Sequence, residues 1–320
     1  MSGTPVLVVG VPRSGTTWVA QILARGGRAT YLEEPDNHLR FAFAFRAKRR
    51  LGARAYPRLA PGDAGPDLAD FESLWRSAFS DGARDGSSRK RVLANRLVGR
   101  TGPKRVSAAL TGSLARHPDL ALATRIAEPE RPAGNGPLVV KSVYASLATE
   151  WIASRHDVRV VSVLRSPLNV LSSWIELDWL PPSGPDVLST LDPALAQDFA
   201  DRFDAPPPER SALARAAWVI GALTCALDEE TRRNPAWARV VHEELCLSPD
   251  EEYPRIAERV GLPWTGDGDR ALEAGNRPGR GYETARVAAD AREAWRDRLD
   301  DGQVAEIRRV LERLPLALDA

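Results

Sequence analysis

Four places in this sequence combine residue types that bind anions or move protons. The first is Gly10-Val11-Pro12-Arg13-Ser14-Gly15-Thr16-Thr17-Trp18, which follows an apolar, β-branched run from Pro5. A tight turn between a buried strand and a helix aims several backbone N–H groups at one point, at the positive end of the helix dipole, and such a point binds phosphate. Arg13 adds a cation. The second place is Arg165, which ends the apolar run Val160-Val161-Ser162-Val163-Leu164 and is followed eight residues later by Ser173, about two helical turns on. Open α/β sheets bind ligands at the carboxyl ends of their strands, and a guanidinium is a planar fork suited to phosphate. Taken alone, the same arginine reads equally as the cap of a sheet edge. The third is Lys141, closing Leu138-Val139-Val140-Lys141 in a chain whose only lysines are Lys48, Lys90, Lys104 and Lys141. A strand-end ammonium can neutralise charge on a transferring group. The fourth is Tyr31-Leu32-Glu33-Glu34-Pro35, where Pro35 imposes an extended or turn conformation on Glu34. A carboxylate held there is a candidate general base, and His38 is its rival.

The first loop has the spacing of a Walker A motif, but Thr16 stands where the lysine before the final Ser/Thr belongs. This is not the ordinary nucleoside-triphosphate loop. The string Pro12-Arg13-Ser14-Gly15-Thr16-Thr17-Trp18 resembles the phosphosulfate loop of the sulfotransferase family that uses 3′-phosphoadenosine 5′-phosphosulfate (PAPS). Cytosolic members carry Lys at the Arg13 position, and many Golgi carbohydrate members carry Arg. The resemblance implies that Ser14, Gly15, Thr16 and Thr17 hold the 5′-phosphate of the donor. It implies also that Arg13 faces the bridging oxygen and the sulfuryl group, and that Trp18 stacks on adenine. Arg165-Ser166-Pro167 with Ser173 is similar to the element that binds the 3′-phosphate in that family. Near the C-terminus, Asn276-Arg277-Pro278-Gly279-Arg280-Gly281 is the nearest match to the family's Arg-Lys-Gly loop over the same phosphate. It lacks the Lys and offers Arg277 and Arg280 instead. The segment Val241-His242-Glu243-Glu244-Leu245 is similar to a strand-end segment of many members and reads as structural.

Cytosolic members place a catalytic His two residues after the strand-end Lys, where this chain has Val143. The Glu-Pro motif of Golgi carbohydrate and several bacterial members is present at Glu34-Pro35, which makes Glu34 the base that the resemblance implies, with His38 still open. The implied activity is in-line transfer of a sulfuryl group from PAPS, the donor substrate, to a hydroxyl or amine of a small-molecule or carbohydrate acceptor. The transferring group carries a single negative charge, so protein cations can handle it without a metal, and positioning matters most. A small-molecule kinase with an unusual phosphate loop is one alternative, and a Mg²⁺ requirement would mark it. A nucleotide-binding module without turnover is the other.

These residues need elements to position them. Strands are expected over Pro5–Gly10, Ala29–Leu32, Leu138–Lys141, Val158–Leu164 and Ala238–His242, each short, apolar and ended by a polar or breaking residue. Helices are expected over Thr16–Arg25, His38–Arg54, Asp70–Ser80, Ala145–Ser154, Pro167–Leu177, Ala212–Asn234, Asp250–Val260 and Arg292–Leu314. Strands alternating with helices imply an α/β fold, a three-layer sandwich with a central parallel sheet. The chain reads as one domain over 1–320, with a helical insertion at about 40–135. The aromatic residues of that insertion, among them Phe45, Tyr56, Phe71 and Trp75, form either a helical core or the lining of an acceptor cleft. The stretch Pro181–Pro208 reads as loop-rich.

The 320 residues are 43% hydrophobic and 27% charged, the composition of a soluble globular protein. A net charge of +1 suggests neither a nucleic-acid partner nor a membrane surface, and the basic run Arg89-Lys90-Arg91 reads as solvated surface. Cys225 and Cys246 make no disulfide framework, and no metal-ligand spacing is present. With no apolar run long enough to span a bilayer, the chain reads as cytoplasmic; its oligomeric state is open.

Overall fold

The computed structural model describes residues 3–80, 88–134, 136–180, 187–208, 211–277, 288–316 and 318. Strand β1 (Val6–Gly10) is buried along its whole length, as a doubly covered strand must be. Helix α1 (Thr16–Gly26) follows the polar loop, and β2 (Thr30–Glu33) comes after it. Five helices then fill the expected insertion: α2 (Ala42–Arg50), α3 (Ala69–Ala78), α4 (Arg89–Thr101), α5 (Pro103–Thr111) and α6 (Pro118–Ile126). The chain continues through β3 (Leu138–Ser142), α7 (Thr149–Arg155), β4 (Arg159–Leu164) and α8 (Pro167–Glu176). Next come α9 (Pro193–Arg202), α10 (Ala212–Arg233), β5 (Ala238–Val241), α11 (His242–Leu245) and α12 (Pro249–Arg259). The last helices are α13 (Gly266–Gly275), α14 (Ala288–Ala291) and α15 (Asp301–Leu311).

The strands form one parallel sheet in the order β2-β3-β1-β4-β5, flanked by helices. This is the expected α/β class. The chain clusters into two compact units, Met1–Leu7 with Ala29–Arg159, and Val8–Arg28 with Val160–Ala320.

In the first unit, β2 pairs with β3 in a register that sets Leu32 opposite Val140 and Glu33 opposite Lys141. The insertion aromatics Phe45, Phe71 and Trp75 are fully buried, and Tyr56 nearly so, which makes them core. Helices α4, α5 and α6 are absent from the sequence expectation for a physical reason. Each buries only two or three apolar residues, such as Ala94, Leu97 and Val98 of α4, too few to mark a clear helical period, and α4 and α5 carry a basic exterior besides. Pro103 and Pro118 at the first helical position were the available signals. Arg49 of α2 donates to the carbonyls of Ala109 and Gly112, closing the end of α5.

In the second unit, β4 pairs with β5 from Val161 opposite Ala238 to Leu164 opposite Val241. Helix α10 packs against α8 and α15, and its Thr231 hydroxyl donates to Ser162 of β4 at 2.8 Å. Helix α9 lies in the stretch expected to be loop-rich, started by the Asp192 cap, whose side chain accepts from the Leu195 N–H. Helix α15 begins at Asp301, later than expected, because Asp300 and Gln303 form a reciprocal capping box.

Helices α1 and α13 are held together through Trp264. A Cβ on Gly26 would come within 2.5 Å of the indole, and so would one on Gly268. The Gly26 carbonyl also accepts from both the N–H and the hydroxyl of Thr265. Alanine is preferred over glycine in a helix by about 0.8–1 kcal/mol, whereas overpacking costs about 1–3 kcal/mol. Gly26→Ala is therefore expected to lower stability by about 1 kcal/mol, read as a lower midpoint in urea denaturation. A raised midpoint would mean that Trp264 does not fill this space.

Candidate active site

The loop between β1 and α1 takes a conformation few side chains favour. Arg13 has φ 72° and Gly15 φ 92°, both in the left-handed region. The Ser14 N–H donates to the Val11 carbonyl at 3.1 Å, closing the turn. No side chain caps α1, so its first-turn N–H groups point outward as donors. Ser14 is fully buried, and its hydroxyl has no partner among the described residues. These are the features a bound phosphate group satisfies.

The second group of predicted residues meets this loop. Arg13 Nε donates to Ser173 Oγ of α8 at 2.9 Å. Arg165, one residue beyond β4, donates from Nη1 to the Arg13 carbonyl at 2.9 Å and from Nη2 to the Ala291 carbonyl at 3.2 Å. Its Nε lies 3.9 Å from Glu243. Burial pulls the Arg165 guanidinium below its ordinary value, and Glu243 opposes that shift.

Sequence reasoning missed the residues that hold this arrangement. His242, at the end of β5, is buried and lies where a Cβ on Gly15 would sit, 2.2 Å from the imidazole Cδ2. This contact, with the left-handed φ, explains why position 15 is glycine. Burial, with Arg165 as a second cause, holds His242 well below the usual histidine value, so it is neutral. Trp18, expected to stack on adenine, is half-buried and stands edge-on to His242 and to Tyr253, with ring centroids 5.7 and 5.4 Å apart. Glu243 accepts from the Ser166 N–H at 3.1 Å and from Asn169 Nδ2 at 2.8 Å, which fixes the start of α8. The segment 241–245, which reads as structural in the sequence, thus packs directly on the loop. Arg277 is exposed; Arg280 lies outside the described residues.

In the first unit, Glu34 has φ 48°, the turn outcome of the two that Pro35 allows. Its N–H donates to the Lys141 carbonyl at 2.7 Å, and its carbonyl accepts from the Asn37 N–H at 2.9 Å. The Glu34 carboxylate accepts from the Lys141 ammonium and from Asn37 Nδ2. The predicted base and the predicted strand-end cation are thus an ion pair, at a position with little exposure. A carboxylate has about four acceptor sites, so two such bonds leave capacity for a proton.

The same turn carries Asp36 into the interior, where it accepts from the Ser142 hydroxyl at 2.7 Å. Lys48 of α2 is fully buried. It donates to the Ala55 carbonyl at 2.8 Å, lies 3.5 Å from His38 Nδ1 and sits 4.2 Å from the centre of the Tyr144 ring. His38, the rival base, is only 2% exposed. Burial, then Lys48, holds it well below the usual histidine value and therefore neutral. This cluster is invisible in the sequence, because Lys48 sits in the run Arg46-Ala47-Lys48-Arg49-Arg50 and looks like part of a solvated face.

The sequence matches no protein-family model and no curated protein. Among solved structures the chain is similar to a sulfotransferase domain from the curacin biosynthetic pathway, with 12% identity and a TM-score of 0.46 over 98% of each chain. It is similar also to sulfotransferase STF9 from Mycobacterium avium, with 14% identity and a TM-score of 0.42 over 99% of this chain and 78% of that one. A retinol dehydratase in complex with retinol and PAP gives 13% and 0.36 over 100% and 84%. Among the described residues, no helix is long and apolar enough to cross a membrane.

The buried ammonium generates a stability signature. Burial pulls Lys48 from 10.5 down to about 8, against the opposing pull of Asp36 and Glu34. The unfolded chain binds this proton more tightly, so the cost of burying it is fully present below pH 8 and fades as pH rises toward 10.5. Relative to Lys48→Met, the wild type is expected to gain stability on the order of 2–3 kcal/mol across that window, measured by urea denaturation at each pH. A difference that does not change with pH would show that the folded and unfolded chains hold the Lys48 proton equally, so that burial does not lower it.

Proposed function

We propose that this chain is a PAPS-dependent sulfotransferase. The observation that carries the reading is the meeting of the two anion elements. Arg13 binds Ser173, and Arg165 binds the Arg13 carbonyl. An ordinary nucleoside-triphosphate loop needs no such partner, whereas a donor phosphorylated at both the 5′ and 3′ positions does. Ser14, Gly15, Thr16 and Thr17 would take the 5′-phosphate on backbone N–H groups and hydroxyls, with Trp18 toward adenine. Arg165 and Ser173 would take the 3′-phosphate, and Arg277 and Arg280 are the candidates to close over it.

The chemistry follows from the residues. An oxygen or nitrogen of the acceptor attacks sulfur as the bond from sulfur to the bridging phosphate oxygen breaks, leaving 3′-phosphoadenosine 5′-phosphate (PAP). Arg13 stabilises the charge growing on the leaving oxygen, and Lys141 the charge on the sulfuryl oxygens. Glu34 accepts the acceptor's proton. Lys141 and Asn37 hold the carboxylate in one orientation for that step. His38, buried against Lys48 and Tyr144, serves the packing of this turn instead. The acceptor is a small molecule or a carbohydrate bearing a hydroxyl or amine.

Two substitutions test the reading. Arg165→Ala should weaken PAP binding by roughly 2–4 kcal/mol, the scale for losing a buried charged partner. It should weaken AMP binding much less, the residual loss reflecting the freed Arg13 carbonyl. Equal losses in calorimetry would remove Arg165 from the 3′-phosphate. Glu34→Gln should leave PAP affinity nearly unchanged and reduce turnover by about 10²–10⁴, with His38→Ala costing much less. Near-normal turnover in Glu34→Gln, with loss in His38→Ala, would transfer the base to His38.

A further inference from the structure

The net charge of +1 conceals a strong local asymmetry. Between positions 88 and 131 the chain carries ten arginines and lysines against Asp119, Glu128 and Glu130, so this stretch alone has a surplus of seven positive charges. Helix α4 turns Ala94, Leu97 and Val98 inward. On its outer side Arg89, Leu93, Arg96 and Arg100 fall at intervals of four, three and four residues, and all four are exposed. Those spacings place them in one stripe along the helix. The stripe continues into the exposed Lys104 and Arg105 at the start of α5.

Two features separate this face from the ordinary arginine-rich surface of the molecule. Many of the other surface arginines pair with acids, as Arg76 does with Glu72, Arg202 with Glu229 and Arg255 with Glu252. The basic residues of the stripe have no acidic partner among the described residues, while Arg91, on the inner side of α4, is held by Glu130. The second feature is apolar. Leu93, in the middle of the stripe, is 49% exposed, and Leu122 on the neighbouring helix α6 is 45% exposed, one turn from the exposed Arg125. Among the described residues the exposed large hydrophobic side chains are Leu93, Leu122, Trp179 and Leu247, and two of the four lie here.

We propose that the outer face of α4 to α6 docks on an anionic lipid bilayer, with the arginines and lysines at the headgroups and Leu93 and Leu122 in the acyl boundary. Unpaired cations call for an anionic partner. The exposed leucines among them favour a bilayer over a soluble polyanion, which would leave them in water. The stretch 88–131 also has no aromatic residue to stack on a nucleic-acid base.

The test is sedimentation of the full chain with phosphatidylcholine vesicles, with and without phosphatidylglycerol. Binding is expected only to the mixed vesicles and should weaken with salt. Arg89→Glu with Arg96→Glu and Arg100→Glu should weaken it by about a hundredfold or more, since each basic residue near such a surface contributes about fivefold. Leu93→Ser with Leu122→Ser should weaken it further at high salt. All five positions are exposed, and unchanged urea midpoints would show that the variants fold. Absence of binding to mixed vesicles would overturn the proposal. So would binding that the arginine changes abolish but the leucine changes leave intact, with equal retention on dextran sulfate, because the face would then serve a soluble polyanion. Neither outcome bears on sulfuryl transfer, which is read separately from turnover.

Discussion

The guanidinium of Arg165 is buried at the end of β4, and a buried cation must have its donors satisfied. Two of its bonds go to main-chain carbonyls, of Arg13 and Ala291, and Glu243 stands beside its third nitrogen. The bond to Arg13 fixes the backbone at the one position of the phosphate loop where a non-glycine residue takes a left-handed conformation. Left-handed backbone at such a residue is costly and persists only where its surroundings over-determine it. Here they do so from two sides, since the Arg13 side chain is itself held by Ser173 and the adjoining Gly15 is packed against His242. The loop is thereby shaped before any ligand arrives, which lowers the ordering cost of binding.

The first unit solves a different problem with similar means. The turn after β2 carries Glu34, Asp36 and His38 within five residues, and none of the three is exposed. The two carboxylates are opposed by Lys141 and Lys48, drawn from β3 and α2, and Asp36 also accepts from the Ser142 hydroxyl. Burial raises Asp36 and lowers Lys48, so both are driven toward their neutral forms, while each favours the charged form of the other. Such a cluster is an expensive way to hold a turn, and it places one carboxylate, that of Glu34, where the chain needs a defined orientation. The four lysines divide accordingly: Lys48 and Lys141 are interior partners of acids, and Lys90 and Lys104 face solvent.

What could be read in the sequence was local. A strand, a glycine-bearing turn and a helix made the phosphate loop visible, and the Arg165–Ser173 interval follows from helical geometry. Both require only neighbouring residues. His242, Glu243 and Asn169 were hidden because their contacts come from β5 and α8, far from the loop in sequence. Lys48 was hidden for the opposite reason, since a basic run on a helix looks solvated unless its burial is known. The same ambiguity worked in reverse for α4, where a basic exterior concealed a helix with a thin but regular buried face.

Everything proposed for the second unit depends on a site that takes two phosphates of one nucleotide. The most direct measurement is calorimetric titration of the unmodified protein with PAP and with AMP, which differ only in the 3′-phosphate. PAP is expected to bind about 10²–10³ times more tightly, the equivalent of roughly 3–4 kcal/mol for the second anion on Arg165 and Ser173. Equal affinity for the two nucleotides would contradict the assignment.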